Sequence, residues 1–312
     1  MPNPMEALAL VLGALGTLNR SSGVRTINTE INGQQVALAM IEGAQFGEDP
    51  EGNTTLQTTK GKYMTTSITV ANQKGGQAKT TTTINLAAWL AENGKRVLIV
   101  DNDPQGHCAV VLGVRPEPCV FNVLLGLGDP HQWVRDTGRK NLYLIPGNRS
   151  TATAQSVMTA ENRPISAVQD AIAPLIAEYD YVLFDTAPSA GGVQERSLFA
   201  AKYVILPVAT EFLALDGLRQ IAETLGQLRQ SHNWRGALLG VLPTFYHTNT
   251  NESHAALKEL KSAFGNSIIT PIHDRTVLRE CAAEGKTIFE YAPKSDAAKE
   301  YAAFAQYVLK CT

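Results

Sequence analysis

The feature that most narrows what this chain can fold into lies between residues 68 and 94. An apolar run, Ile68–Ala71, leads into Lys74-Gly75-Gly76-Gln77-Ala78-Lys79-Thr80-Thr81-Thr82, and a helical pattern over Thr80–Glu92 then stops at Asn93-Gly94. Strand, glycine-rich loop, Lys-Thr and helix in this order make a phosphate cradle. Glycines let backbone N–H groups approach phosphate oxygens, and the helix N-terminus adds its partial positive charge. Lys79 is then placed to meet β- and γ-phosphates, and the Thr80 hydroxyl to coordinate Mg²⁺.

The same alternation continues. Short apolar strand candidates recur at Val97–Val100, Leu142–Ile145, Tyr181–Phe184, Val204–Val208, Leu238–Leu242 and Ile268–Ile269, with amphipathic helices between them. Strands apolar on both faces belong to a parallel sheet covered by helices on each side. Residues 65–312 therefore read as a doubly wound, mostly parallel α/β domain, with its ligand beyond the carboxyl ends of the strands. Residues 1–64 read as a small appendage. It holds an apolar helix candidate from Ala7 to Leu18, a hairpin around Ile31-Asn32-Gly33-Gln34, and a polar linker from Gly47 to Lys62. The apolar run is too short to span a bilayer, and Glu6 precedes it where a signal peptide carries basic residues. No chemistry is legible in this part.

Charge decides little and excludes something. With 27 basic and 29 acidic residues the formal net charge is −2, so any nucleic-acid contact must come from a local patch. The four cysteines, Cys108, Cys119, Cys281 and Cys311, form no CxxC pair and read as reduced thiols of a cytoplasmic protein.

Two further segments carry carboxylates at strand ends. Val100-Asp101-Asn102-Asp103-Pro104-Gln105-Gly106 puts Asp101 and Asp103 two residues apart, where both face the phosphate site or serve as turn and cap residues. Tyr181–Phe184 ends in Asp185, the arrangement in which a carboxylate holds a Mg²⁺-bound water.

These segments together resemble the ParA/MinD/Soj family of P-loop ATPases. Lys74 opens the loop as in the family's deviant Walker A motif, written KGGxxK[ST], with Ala78 where glycine usually precedes the second lysine. Asp101–Gly106 matches the DxDPQG segment, and Gly285–Ser295 resembles GKPIxxYDPKS, with Thr287 for Pro and Ala292 for Asp. The resemblance runs from Ile68 to Leu309. It implies ATP and Mg²⁺ as cofactors, bound by Lys74, Gly75, Gly76, Gln77, Ala78, Lys79, Thr80 and Thr81, with base contacts near Pro243. It implies that Lys74 reaches across a homodimer onto the partner's phosphates, that Asp103 positions or activates the attacking water, and that Thr80, Asp101 and Asp185 serve the metal. It further implies a slow, partner-stimulated ATPase, cytoplasmic and nucleoid-associated. Such an enzyme positions a plasmid, chromosome or protein compartment through ATP-gated, non-specific DNA binding and a ParB-like or other adaptor. A membrane-cycling MinD-like regulator and a metabolic P-loop enzyme are the alternatives. The match weakens at the DNA-gripping arginines, where Asn249 and Val277 stand instead. Arg275 and Arg279, one helical turn apart, with Lys258 and Lys261, are the candidate substitutes.

Overall fold

A computed structural model describes residues 65–188, 192–211 and 214–312, together with four strands between residues 25 and 57. Those four strands lie in a unit, residues 17–64, that is compact apart from the rest. β1 (Arg25–Ile31) pairs antiparallel with β2 (Gln34–Met40), with Ile31 opposite Gln34. In place of an uninterrupted linker from Gly47, β3 (Gln45–Glu48) pairs antiparallel with β4 (Thr54–Gln57). The remainder of that polar stretch and the Ala7–Leu18 segment lie outside the described residues.

The main body is built on a sheet of seven strands. They are β5 (Thr66–Val70), β6 (Val97–Asn102), β7 (Arg135–Asp136), β8 (Leu142–Ile145), β9 (Tyr181–Thr186), β10 (Tyr203–Ala209) and β11 (Ala237–Thr244), in the order β11-β10-β5-β9-β6-β8-β7. All neighbours are parallel except the short edge strand β7, which runs antiparallel to β8. The expected strand at Ile268–Ile269 is reduced to a single bridge between Ile268 and Val241. Two apolar residues flanked by the turn at Gly265–Ser267 are too few to extend a ladder, and the seventh place falls to Arg135–Asp136 at the opposite edge.

Alternate residues of each strand face opposite layers, as the two-residue period demands. Ile68, Val97, Ile99, Leu183 and Ile205 pack on one side, under the Lys79–Glu92 and Asp296–Cys311 helices. On the other side Leu98, Val100, Val182 and Phe184 meet the helices between Val120 and Ala200, while Val204, Leu206 and Val208 meet the Ala214–His232 and Asn251–Phe264 helices. Burial of each such side chain is worth roughly 1.5–3 kcal/mol, so both layers are needed to hold the sheet.

The C-terminal helix is capped by Ser295, whose hydroxyl accepts from the Ala298 amide. Its buried face comprises Ala297, Ala298, Tyr301, Phe304, Ala305 and Val308, whereas Ala302 and Leu309 are only partly covered. Its apolar side is spent on the domain itself. Among the described residues no helix is long and apolar enough to cross a membrane.

Candidate functional site

Three strands end side by side at the centre of the sheet, and their register fixes the site. Val70 of β5 lies opposite Asp185 of β9, which lies opposite Asp101 of β6. The loop after β5 is drawn to its neighbours by side chains. Asn72 donates to the Pro207 carbonyl at 2.8 Å and accepts from the Lys74 amide at 2.9 Å. Gln77, which the resemblance places among the nucleotide-binding residues, has a buried side chain: its Oε1 accepts from the Ala209 amide at 2.8 Å, and its Nε2 donates to the Gly75 carbonyl at 3.2 Å. Gly76 has a φ of +70°, and a Cβ there would meet nothing within 4 Å, so the loop's outer face is open.

The loop's two lysines have opposite fates. Lys79 is buried, and its Nζ donates to the Lys74 carbonyl at 3.1 Å. Burial lowers its pKa, while Asp185 and Asp103 oppose the shift. Lys74 is exposed.

Ala78, the cap of the phosphate-loop helix, has φ 61° and ψ 29°. This is the left-handed region, where a Cβ costs about 1–2 kcal/mol and glycine is at ease. The substitution for glycine is therefore accommodated with strain. Ala78→Gly is expected to stabilise the nucleotide-free chain by about 1 kcal/mol, seen as a melting temperature higher by roughly 2–4 °C. An unchanged or lower melting temperature would show the strain to be relieved elsewhere.

The carboxylates are sunk beneath the loop. Asp185 is fully buried and accepts from Thr80 Oγ1 at 2.6 Å and Thr83 Oγ1 at 3.2 Å. Asp101, also fully buried, accepts from the Asp103 amide at 3.0 Å and the Cys108 amide at 3.2 Å. Asp103 sits nearer the surface, 7% exposed, and accepts from the Gln105 amide at 2.9 Å. Ligand atoms of Asp101, Asp185 and Cys108 all lie within 4.8 Å of one another. Burial, reinforced by the neighbouring carboxylates, raises the Asp185 pKa to about 6, against the Thr80 hydrogen bond and Lys79, and pushes Asp101 well up also. Burial raises the Cys108 thiol, so it stays protonated and donates weakly to Asp185 at 3.5 Å. Two crowded carboxylates with a hydroxyl beside them form an oxygen donor set suited to a hard divalent cation such as Mg²⁺.

Sequence reading missed Cys108 and Gly147. A Cβ on Gly147 would lie 2.5 Å from the Asp103 carbonyl and 2.6 Å from that of Asp101, and Gly106 packs its Cα against the Gly147 carbonyl. The Asp101–Gly106 loop is thus seated on the turn after β8, a contact made only by the fold. Gly147→Ala is expected to cost about 2–3 kcal/mol, because backbone rather than a flexible side chain must yield. A denaturant midpoint unchanged from wild type would contradict the close approach.

Pro243 is buried within β11, its carbonyl bound to the Ile272 amide. The structure corrects the expectation for the two arginines. Arg275 and Arg279 do not share a helical turn: Arg275 is the extended cap before the Thr276–Ala283 helix. Both are already paired, Arg275 with Glu300 at 3.1 Å and Asp296 at 3.7 Å, and Arg279 with Asp274 at 3.0 Å. Lys258 and Lys261 stand exposed on the Asn251–Phe264 helix.

Comparison with known proteins bears on this arrangement. The family described as an AAA domain matches residues 65–235. The chromosome partitioning protein ParA of Myxococcus xanthus is 33% identical over 247 residues, 78% of this chain and 87% of that protein. The chromosome-partitioning ATPase Soj of Thermus thermophilus is 37% identical over 243 residues, 78% of this chain and 94% of its own length. This chain belongs to the ParA/MinD family of P-loop ATPases. A solved structure named cobyrinic acid a,c-diamide synthase from Mycobacterium smegmatis, with bound ATP analogue and magnesium, is 34% identical, covers 79% of this chain and 94% of that one, and superposes with a TM-score of 0.70. The ParA/MinD core thus accounts for the seven-stranded sheet and for the phosphate loop at its centre.

Proposed function

We propose that this chain is an ATP-driven switch of the ParA type, which dimerises on ATP and Mg²⁺ and positions a cargo. The observation that carries the reading is the division of labour within one loop, Lys79 buried beside Asp185 and Asp103 while Lys74 is exposed. Exposed at the mouth of the loop, Lys74 is placed where it can reach the phosphates of a second copy.

In this reading the backbone amides of Gly75–Thr81 and the Lys79 ammonium hold the β- and γ-phosphates, and Thr80 with Asp185 holds the metal through its hydroxyl and carboxylate. Mg²⁺, when bound, neutralises charge on the phosphates and relieves the crowding of the carboxylates. Asp103, less buried than Asp101 and held by the Gln105 amide, orients the attacking water. Asp101, with both oxygens on backbone amides, keeps the loop in shape and supports the metal's shell beside Asp185. Lys74 reaches the partner's phosphates, so loss of the γ-phosphate loosens the dimer. ATP-dependent retention on non-specific DNA, an adaptor that stimulates hydrolysis, and a cytoplasmic, nucleoid-associated place follow from the same reading. Exposed Lys258 and Lys261 are then the first phosphate contacts to test, since Arg275 and Arg279 must first leave their carboxylates.

Retention on non-specific duplex DNA at fixed low salt, with and without ATP–Mg²⁺, tests this. ATP promotes retention, Asp103→Ala prolongs it, and Lys79→Ala removes it. Turnover with no retention by any variant would leave the ATPase and dismiss DNA as the matrix. The name of the 34% identical M. smegmatis protein supports a second reading, ATP-driven amidation of a carboxylate. That reading requires hydrolysis to depend on a carboxylate substrate and an ammonia source.

A further inference from the structure

The phosphate loop is tied to one edge of the sheet through a single buried residue. Gln77 Oε1 accepts from the Ala209 amide at the end of β10, at 2.8 Å. At the end of β11 the Thr244 hydroxyl donates to the Gln77 carbonyl at 3.4 Å. The two strand ends are themselves joined, since the Thr210 amide donates to the Thr244 carbonyl at 2.9 Å.

The link continues beyond the sheet. Ser253 Oγ donates to the Thr210 carbonyl at 3.2 Å and accepts from the His247 amide at 3.3 Å. Ser253 lies in the first turn of the Asn251–Phe264 helix, and its amide donates to the cap residue Thr250 at 3.4 Å. Exposed Lys258 and Lys261 stand on that same helix. Gln77, Thr210, Thr244 and Ser253 are all buried, so no water competes for these bonds.

Thr210 is the joint. Its hydroxyl has one hydrogen to give and three acceptors within reach. They are the Phe245 carbonyl at 3.2 Å, Ser253 Oγ at 3.2 Å and the Thr244 carbonyl at 3.3 Å. None has a clear advantage in length, so a small displacement at the end of β10 moves the hydrogen from one to another. Phe245 has a φ of 52°, in the left-handed region that a bulky side chain rarely enters. A residue in that conformation persists only while its neighbours hold it there.

We propose that Thr210 is a positioning residue that passes a change at the phosphate loop, received through Gln77, to the start of the helix carrying Lys258 and Lys261. The inference rests on the reading of Lys74–Thr81 as a nucleotide site and names the residue through which that site reaches the cationic helix. Movement of the loop carries the Ala209 amide with Gln77, the Thr210 hydroxyl changes acceptor, and Phe245 and Ser253 follow. A coupling of this kind shifts an equilibrium at the second site by about five-fold or more.

Amide hydrogen exchange with and without ATP–Mg²⁺ tests the link in wild type, Thr210→Val, Thr210→Ser and Ser253→Ala. Lys79–Glu92 reports nucleotide at the loop, and residues 245–258 report the start of the second helix. In the wild type ATP–Mg²⁺ slows exchange in both stretches, by about five-fold or more in the second. Thr210→Val and Ser253→Ala keep the response at Lys79–Glu92 and lose it at residues 245–258. Thr210→Ser, which keeps a hydroxyl, retains both. A Thr210 that only stabilises the fold would leave every ATP response in place. That result overturns the link and leaves the nucleotide site standing, as does a wild type in which Lys79–Glu92 responds alone. A wild type in which neither stretch responds overturns both.

Discussion

Lys79→Ala is expected to abolish ATP binding and turnover together, whereas Lys74→Ala keeps binding within about three-fold and loses turnover. The two lysines lie five residues apart in one loop, yet one is buried beside carboxylates and the other is in solvent. Lys79 already forms its hydrogen bond within the loop, to the Lys74 carbonyl, so it is preorganised for phosphate oxygens at the same position. Removing a preorganised charge of this kind costs roughly 10²–10³-fold in turnover. It also leaves Asp185 and Asp103 without their nearest cation, so the empty variant should melt below wild type near neutral pH. Lys74 contributes nothing of that sort to its own chain. Its loss should appear as a fall in turnover of roughly 10³-fold, the scale of a charge supplied from a second molecule. Mixing the variant with wild type decides the matter. If Lys74 acts across a dimer, a chain carrying Lys74→Ala regains turnover when paired with an Asp103→Ala chain. If Lys74→Ala weakens ATP binding as much as Lys79→Ala, the lysine serves its own site and the dimer reading loses its support.

The positions of the chemistry were legible because they are local. A glycine-rich loop between strand and helix, and aspartates ending two apolar strands, are patterns over fewer than ten residues each. The register that brings Val70, Asp185 and Asp101 together follows once the strands are parallel and adjacent. What was not legible depends on distant contacts. Gly147 matters because its backbone lies against carbonyls some 45 positions earlier in the chain. Cys108 reads as an unremarkable thiol until the fold sets it beside Asp185. Arg275 looked like a free cation because Glu300 and Asp296 lie on a helix that sequence spacing does not place beside it. Ala78 could be identified as an exception to glycine, but its sign of φ belongs to the structure.

Asp185→Asn should stabilise the nucleotide-free chain near neutral pH while removing its hydrolysis, and the wild type should lose stability as pH rises from about 4 to about 6. The direction follows from the proton balance. Burial, with Asp103 nearby, raises the folded-state pKa of Asp185 to about 6, and Asp101 is raised as well, by burial and by Asp185. In the unfolded chain both carboxylates titrate near 3.9. Between these values the folded state holds protons that the unfolded state has released, so raising the pH favours unfolding, and above the folded pKa the penalty is complete. For Asp185 it is at most about 3 kcal/mol, since each unit is worth about 1.4 kcal/mol and coupling to Asp101 divides the effect. Asparagine keeps an oxygen to accept from Thr80 and carries no charge, so the variant should melt roughly 3–8 °C above wild type at pH 7 and differ little at pH 4. Saturating Mg²⁺ with nucleotide should flatten the wild-type profile, because a cation beside the carboxylates makes their charged form the favoured one. Melting curves of both proteins from pH 4 to 7 separate the possibilities. A wild type whose stability is flat over that range would mean that the two carboxylates are not in conflict. In that case the donor set would not be held under strain for a cation at all.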